Sequence, residues 1–111
     1  MNKESEIKNV LYIDTSNNHR IIIGLEINGN KDEIIKEVGK RNSHLVLSLV
    51  DEILKKFNLS TKGLTAIEIN LGPGSYTGLR VGVAIANSLG TVLHIPINDK
   101  NPGDLVEPIY S

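Results

Sequence analysis

Apolar and polar residues alternate along this chain with two different periods, which divide it into strands and helices. Period-two and short apolar runs predict strands over residues 9–15, 20–28, 65–71 and 91–97. Residues 31–38 are charged enough for a helix surface, but their position directly after Asn28-Gly29, a hairpin signal, favours an edge strand. A period of three to four residues predicts helices over 43–57, capped by Ser43, and over 75–89. The predicted order is β-β-β-α-β-α-β.

Polar residues recur at alternate positions of three predicted strands. Tyr12 and Asp14, then Glu68 and Asn70, then His94 fall on one face, and the residues between them are apolar. A sheet covered by helices on both faces would instead show nearly continuous apolar runs. We therefore expect both helices on one face of the sheet, with the other face open to water or covered by the tail or a partner.

Residues 72–82, Gly-Pro-Gly-Ser-Tyr-Thr-Gly-Leu-Arg-Val-Gly, join a predicted strand to a predicted helix. Ser75 or Thr77 can cap that helix, whose free N–H groups would form an anion site. The glycine spacing is one residue too long for the dinucleotide-binding fingerprint, and no Gly-Lys-Ser/Thr follows, so this is not a P-loop. Spacing alone favours a tight turn over a phosphate cradle, and both interpretations stay open.

The whole run resembles the signature of the TsaB family, also called YeaZ. Residues 11–16, Leu-Tyr-Ile-Asp-Thr-Ser, are similar to the family's opening strand, and residues 41–44 match loosely the start of its first helix. The similarity covers residues 9–98 and implies one ribonuclease-H-like lobe of the actin and sugar-kinase (ASKHA) class. The strand order predicts the same α/β lobe, with a five-stranded mixed sheet. We expect the lobe to span residues 1–98 and residues 99–111 to form a C-terminal tail.

The resemblance implies a non-catalytic binding subunit. It would pair with a TsaD-like protein in making N6-threonylcarbamoyladenosine at position 37 of tRNA, with a TsaE-like ATPase as a further partner. Alone, it would form a homodimer, and it would reach tRNA only through the complex. The chain itself would need no cofactor, and any ATP and magnesium would belong to the complex.

Relatives of this family carry a second lobe, which this chain lacks, while residues 105–111 resemble a Pro-x-Tyr segment near the end of those relatives. We expect a natural single-lobe variant, with a truncated chain as the alternative. Related kinases bind ATP between two lobes, so one lobe cannot form that site alone, and they hold metal or phosphate at the position of residues 14–16. The resemblance implies no catalytic use for these residues, and capping of the strand end is the favoured role. The candidate anion turn consists of Asp14, Thr15, Ser16, Gly72, Gly74, Ser75 and Thr77.

Small residues recur every four positions along the second helix, at Gly78, Gly82, Ala86 and Gly90. Such a stripe permits close approach of another backbone, either of this chain or of a partner. The first helix has a wider apolar surface than one sheet contact requires, which favours a partner. The predicted interface residues are Leu47, Val50, Leu54, Leu79, Gly82, Val83 and Ala86.

Net charge and composition argue against several classes of function. A net charge of −1 over 111 residues argues against a broad nucleic-acid surface, and the absence of cysteine excludes disulfides and thiolate metal sites. A stand-alone nuclease or nucleotide hydrolase is the alternative function, but Asp14 and Glu68 lack a third carboxylate for two-metal chemistry. A stand-alone anion-binding module is another alternative. The polar start and the lack of a long apolar run predict a cytoplasmic protein without membrane contact.

Overall fold

The computed structural model describes residues 7–39 and 43–110. Four strands form one mixed sheet in the order β3-β2-β1-β4: β1 (Asn9–Asp14), β2 (Arg20–Ile27), β3 (Asn30–Glu37) and β4 (Ala66–Ile69). β2 is antiparallel to both β1 and β3, and β4 is parallel to β1. The helices are α1 (Ser43–Lys56) and α2 (Tyr76–Leu93), and a 3₁₀ turn spans Thr61–Gly63.

Both helices pack against the same face of the sheet. α1 contacts β2 and β3, α2 contacts β4 and β1, and the two helices contact each other. The sheet residues beneath them are almost fully buried, and burying each such side chain stabilises the fold by roughly 1.5–3 kcal/mol. They are Leu11, Ile13, Ile21, Ile23, Leu25, Ile67 and Ile69. Within the described residues no helix covers the opposite face, as the alternation predicted.

The predicted fifth strand over residues 91–97 is wrong, and the sheet has four strands. α2 continues to Leu93 and ends at His94, whose backbone is left-handed (φ 55°, ψ 51°). Leu89 and Leu93 lie one helical turn apart and both pack against the core, so tertiary packing overrides the strand preference of Thr91 and Val92. His94 therefore does not belong to the polar sheet face.

One asparagine completes the free edge of β4 in place of a fifth strand. The Ile67 N–H donates to Pro96 O, and the Asn98 N–H donates to Ile67 O, each at 2.9 Å. One residue pair further on, the Asn98 side chain accepts from the Ile69 N–H at 2.8 Å and donates to Ile69 O at 3.0 Å. Where the fifth strand was expected, the described residues form one isolated parallel β-bridge, between Ile67 and Ile97.

Residues 99–110 of the tail pack against the lobe although they form no helix or strand. Val106 is 4% exposed, and the Asn87 side chain bonds both its N–H and its carbonyl at 2.9 Å. Further along, the Ile109 N–H donates to Leu71 O at 2.7 Å. The tail thus crosses α2 and reaches the turn that precedes it.

Candidate functional site

An uncharged groove lies between α1 and α2 on the side away from the sheet. It encloses about 370 Å³. Its apolar walls include Leu47, which is 44% exposed, and Val92, which is 81% exposed. The lining residues are Ser43, Leu47, Ala84, Ile85, Ser88, Leu89 and Val92. A solvent-facing apolar groove on a small lobe is the kind of surface that another protein covers.

Most of the predicted interface residues do not reach this groove. Leu47 lines it, whereas the other six are buried in the chain's own core: Val50, Leu54, Leu79, Gly82, Val83 and Ala86. In this conformation those six cannot contact a partner directly. The sequence pattern missed the outward residues Ala84, Ser88 and Val92, which recur with the same four-residue spacing as the small-residue stripe.

Gly82 shows what the small-residue stripe does. A Cβ atom at this position would overlap the Thr15 hydroxyl and would lie 3.2 Å from Ile69 Cδ1. At Gly90, a Cβ would lie 2.6 Å from Ile97 Cδ1. Gly82 and Gly90 therefore let α2 pack closely against the end of β1 and against the segment after α2. At these two glycines the close approach is to this chain itself and not to a partner.

The structure also brings the candidate anion-turn residues together, where β1 and β4 end and α2 begins. Asp14 Oδ1 accepts from the Ser16 hydroxyl at 2.6 Å and from the Ser16 N–H at 3.0 Å. The Asn70 amide donates to Asp14 Oδ2 at 3.2 Å, and its Oδ1 accepts from the Gly72 N–H at 2.9 Å. These bonds tie the two strand ends to the turn.

Thr15 and Ser75 also have hydrogen-bond partners within the chain. The buried Thr15 hydroxyl donates to Gly78 O at 2.6 Å. Ser75 caps α2 by accepting from the Gly78 N–H at 3.2 Å, and its own N–H donates to Ser16 O at 2.8 Å. At Gly74 a Cβ would lie 2.5 Å from Ser16 O, so the glycine permits this approach. Thr77 is exposed on the first turn of α2. These contacts support a tight turn more than a phosphate cradle.

The open sheet face carries a polar depression of about 300 Å³, lined in part by Tyr12, Asp14, Lys31 and Glu68. Burial would raise the pKa of Asp14, but the hydrogen bonds from Ser16 and Asn70 outweigh it, and the pKa is lowered. Burial and the nearby Asp99 raise the pKa of Glu68. The hydrogen bond to Glu26, with burial, raises the pKa of Tyr12 to about 12.

Neither a metal centre nor a membrane span is found in the part of the chain that the structure describes. No three Asp, Glu or His residues there are grouped so that they could hold a metal ion. None of the helices there has the length and apolar character needed to cross a membrane.

The mixed sheet, the two helices on one face and the glycine-rich strand-to-helix turn form an α/β lobe that resembles the ASKHA-like fold. YeaZ from Pseudomonas aeruginosa has a similar fold, with a TM-score of 0.76 and 22% identity over 81% of this chain and 42% of that one. Residues 30–99 match the family model described as TsaD: tRNA N6-adenosine threonylcarbamoyltransferase.

Two sequence relatives identify the family of this chain more closely. Both are called tRNA threonylcarbamoyladenosine biosynthesis protein TsaB. The protein of Bacillus subtilis is 36% identical over 91% of this chain and 49% of its own length. That of Buchnera aphidicola (subsp. Schizaphis graminum) is 31% identical over 79% of this chain and 41% of its own length. The chain belongs to the TsaB (YeaZ) family, and it spans about half the length of the curated relatives it matches.

Proposed function

We propose that this chain is a non-catalytic binding subunit in the formation of N6-threonylcarbamoyladenosine in tRNA. The observation that carries the proposal is the uncharged groove between α1 and α2, which is exposed to solvent and has apolar walls. The names of the TsaB relatives support the pathway, and the match to the TsaD family model supports a TsaD-like protein as the partner. The same proposal has three further parts. The chain forms a homodimer through this groove when it is alone, a TsaE-like ATPase is a further partner, and tRNA is bound only by the complex.

The chemistry of the described residues is consistent with a binding role. Asp14 and Glu68 are the carboxylates nearest to a nuclease arrangement, and they lie on adjacent strands. Asp14 is held by Ser16 and Asn70, and Glu68 has a raised pKa, so this pair is poorly suited to binding two divalent cations. The experiment for the alternative is turnover of ATP or RNA with magnesium, where activity that Asp14→Ala abolishes would establish an enzyme.

The groove is tested by placing a charge on each of its walls. Leu47→Glu and Val92→Glu change exposed side chains on α1 and α2, so both variants should fold. Each should weaken binding to a TsaD-type protein at least about tenfold, because a buried unpaired carboxylate at an interface costs more than 1.4 kcal/mol. Isothermal titration calorimetry measures the affinity, and circular dichroism checks the fold.

Ile35→Glu is the matched control. Ile35 is 59% exposed, and it pairs with Ile22 on the sheet face opposite the helices. The same apolar-to-Glu change there should leave the affinity unaltered. If the two groove variants bind as tightly as the wild type, the groove is not the interface. If the wild-type chain binds no TsaD-type protein at micromolar concentration, the proposed function itself is wrong.

A further inference from the structure

Within residues 99–110, the tail is attached to the lobe at two separated points rather than continuously. The first point is Val106, which is buried and whose N–H and carbonyl both bond the Asn87 side-chain amide. The amide therefore acts toward Val106 as a neighbouring β-strand would. Recognition of an extended peptide uses the same two elements, namely main-chain hydrogen bonds and a pocket for one side chain.

The second point lies at the turn before α2. The Ile109 N–H donates to Leu71 O at 2.7 Å, and the Tyr110 ring lies 4.7 Å from the Tyr76 ring between centroids. A Cβ at position 72 would overlap Ile109 O. Gly72 therefore has two roles. It adopts a φ of 113°, which other residues disfavour, and its lack of a side chain leaves room for the tail.

Between and beside these points the tail is open to solvent. Leu105, Ile109 and Tyr110 are 60%, 51% and 42% exposed, and Glu107 is exposed as well. Pro108 restricts the backbone between the two points and lowers the entropy lost when this segment is held extended. Of residues 99–110, only Val106 belongs to the hydrophobic core. The contact is thus short and discontinuous, and it contributes one side chain to the core.

We propose that the surface formed by Leu71, Gly72, Tyr76 and Asn87, here named the tail site, is a peptide-binding site. Its ligand is an extended segment of the form Val-x-Pro-x-Tyr. The chain's own tail fills the site in cis, and the tail of a second copy fills it in trans by exchange. The tail site is distinct from the α1–α2 groove, and the proposal does not depend on the function proposed for that groove.

The cis tail has a strong advantage over any peptide in solution. It is tethered through a short connection after Asn98, and such a tether gives an effective concentration on the order of millimolar. A peptide added to the wild-type chain binds only the fraction of molecules whose own tail has left the site, so its apparent affinity is reduced by that fraction. Releasing the cis tail should restore the intrinsic affinity.

The test uses the full chain and a fluorescein-labelled synthetic peptide of residues 104–111, Asp-Leu-Val-Glu-Pro-Ile-Tyr-Ser. Val106→Asp places a carboxylate in the buried position and should release the cis tail. By fluorescence polarisation, this variant should bind the peptide at least about tenfold more tightly than the wild type does. Adding Asn87→Ala should abolish that binding, because both main-chain bonds to Val106 are lost. A peptide with Asp in place of the valine is the control ligand and should not bind.

A second variant tests the proposal in case Val106→Asp does not fold. Ile109→Pro with Tyr110→Ala removes the N–H that bonds Leu71 and the ring that contacts Tyr76, and both changed residues are exposed. It should also bind the peptide more tightly than the wild type. The proposal is overturned if a folded variant binds no peptide at 1 mM, a concentration about equal to that effective concentration. It is equally overturned if both variants unfold, because the tail would then be an inseparable part of the core.

Discussion

Asn98 offers the sharpest test of how this sheet is closed. Its side chain bonds both the N–H and the carbonyl of Ile69, at 2.8 and 3.0 Å, and its backbone φ is 51°. Asn98→Ala removes both bonds and also places alanine in the left-handed region. Each net hydrogen bond contributes about 1 kcal/mol, and left-handed backbone costs alanine roughly 1–2 kcal/mol. We therefore expect Asn98→Ala to lower the free energy of unfolding by about 3 kcal/mol.

A second variant separates the hydrogen bonds from the backbone conformation. Asn98→Gly also loses both bonds, but glycine adopts positive φ without strain. Its loss should be about 2 kcal/mol, which is the part due to the two bonds. Urea unfolding followed by far-ultraviolet circular dichroism measures both variants on one scale, since the chain has no tryptophan to report by fluorescence.

The matched control is Asn101→Ala, an exposed asparagine three residues further along. It should change the free energy of unfolding by less than about 0.5 kcal/mol. If Asn98→Ala is as mild as this control, the Asn98 side chain does not complete the β4 edge. If Asn98→Gly is as stable as the wild type, the effect belongs to backbone strain alone, and the two hydrogen bonds contribute nothing.

Two further predictions concern single side chains. Gly82→Leu should destabilise the chain by about 3 kcal/mol, because the leucine side chain must displace Thr15 and Ile69. A thermal melting temperature close to that of the wild type would contradict this packing. Glu68→Gln should raise stability slightly at pH 7, by a few tenths of a kcal/mol for a half-buried group that water still screens, and not at pH ~3.5, below the ordinary glutamate pKa. The sign follows from the raised pKa of Glu68 in the folded chain, which means that the ionised carboxylate destabilises the fold. This destabilisation grows as pH rises above the ordinary glutamate pKa. An equal gain from Glu52→Gln, on the exposed side of α1, would show that the effect is not specific to Glu68.

The elements that depend on hydrophobic period were predictable from the sequence. Helix 43–57 is observed as Ser43–Lys56, and the predicted strand over 9–15 as Asn9–Asp14. The alternation placed Tyr12 and Glu68 on one face of neighbouring strands, and the two residues are indeed register partners. Such features follow from local pattern because one buried face fixes both period and register.

Features that depend on contacts distant in sequence could not be predicted in this way. Residues 91–97 fit either a strand or the end of a helix, and the packing of Leu93 decided for the helix. The roles of Asn87 and Asn98 have no periodic signal, since each is a single amide that meets a distant backbone. On α2, positions 82 and 86 and positions 84 and 88 all carry small residues at the same spacing, so the sequence alone did not identify which set faces outward.

Both edges of the sheet are protected from pairing with another strand, and this limits how the lobe can associate. At β4, the Asn98 side chain already occupies the Ile69 N–H and carbonyl that an incoming strand would use. At β3, the charged residues from Lys31 to Glu37 oppose edge-to-edge pairing. The open sheet face carries ionisable groups, including Glu68 and Lys31. The uncharged groove between α1 and α2 is therefore the described surface best suited to bury apolar area against a protein partner.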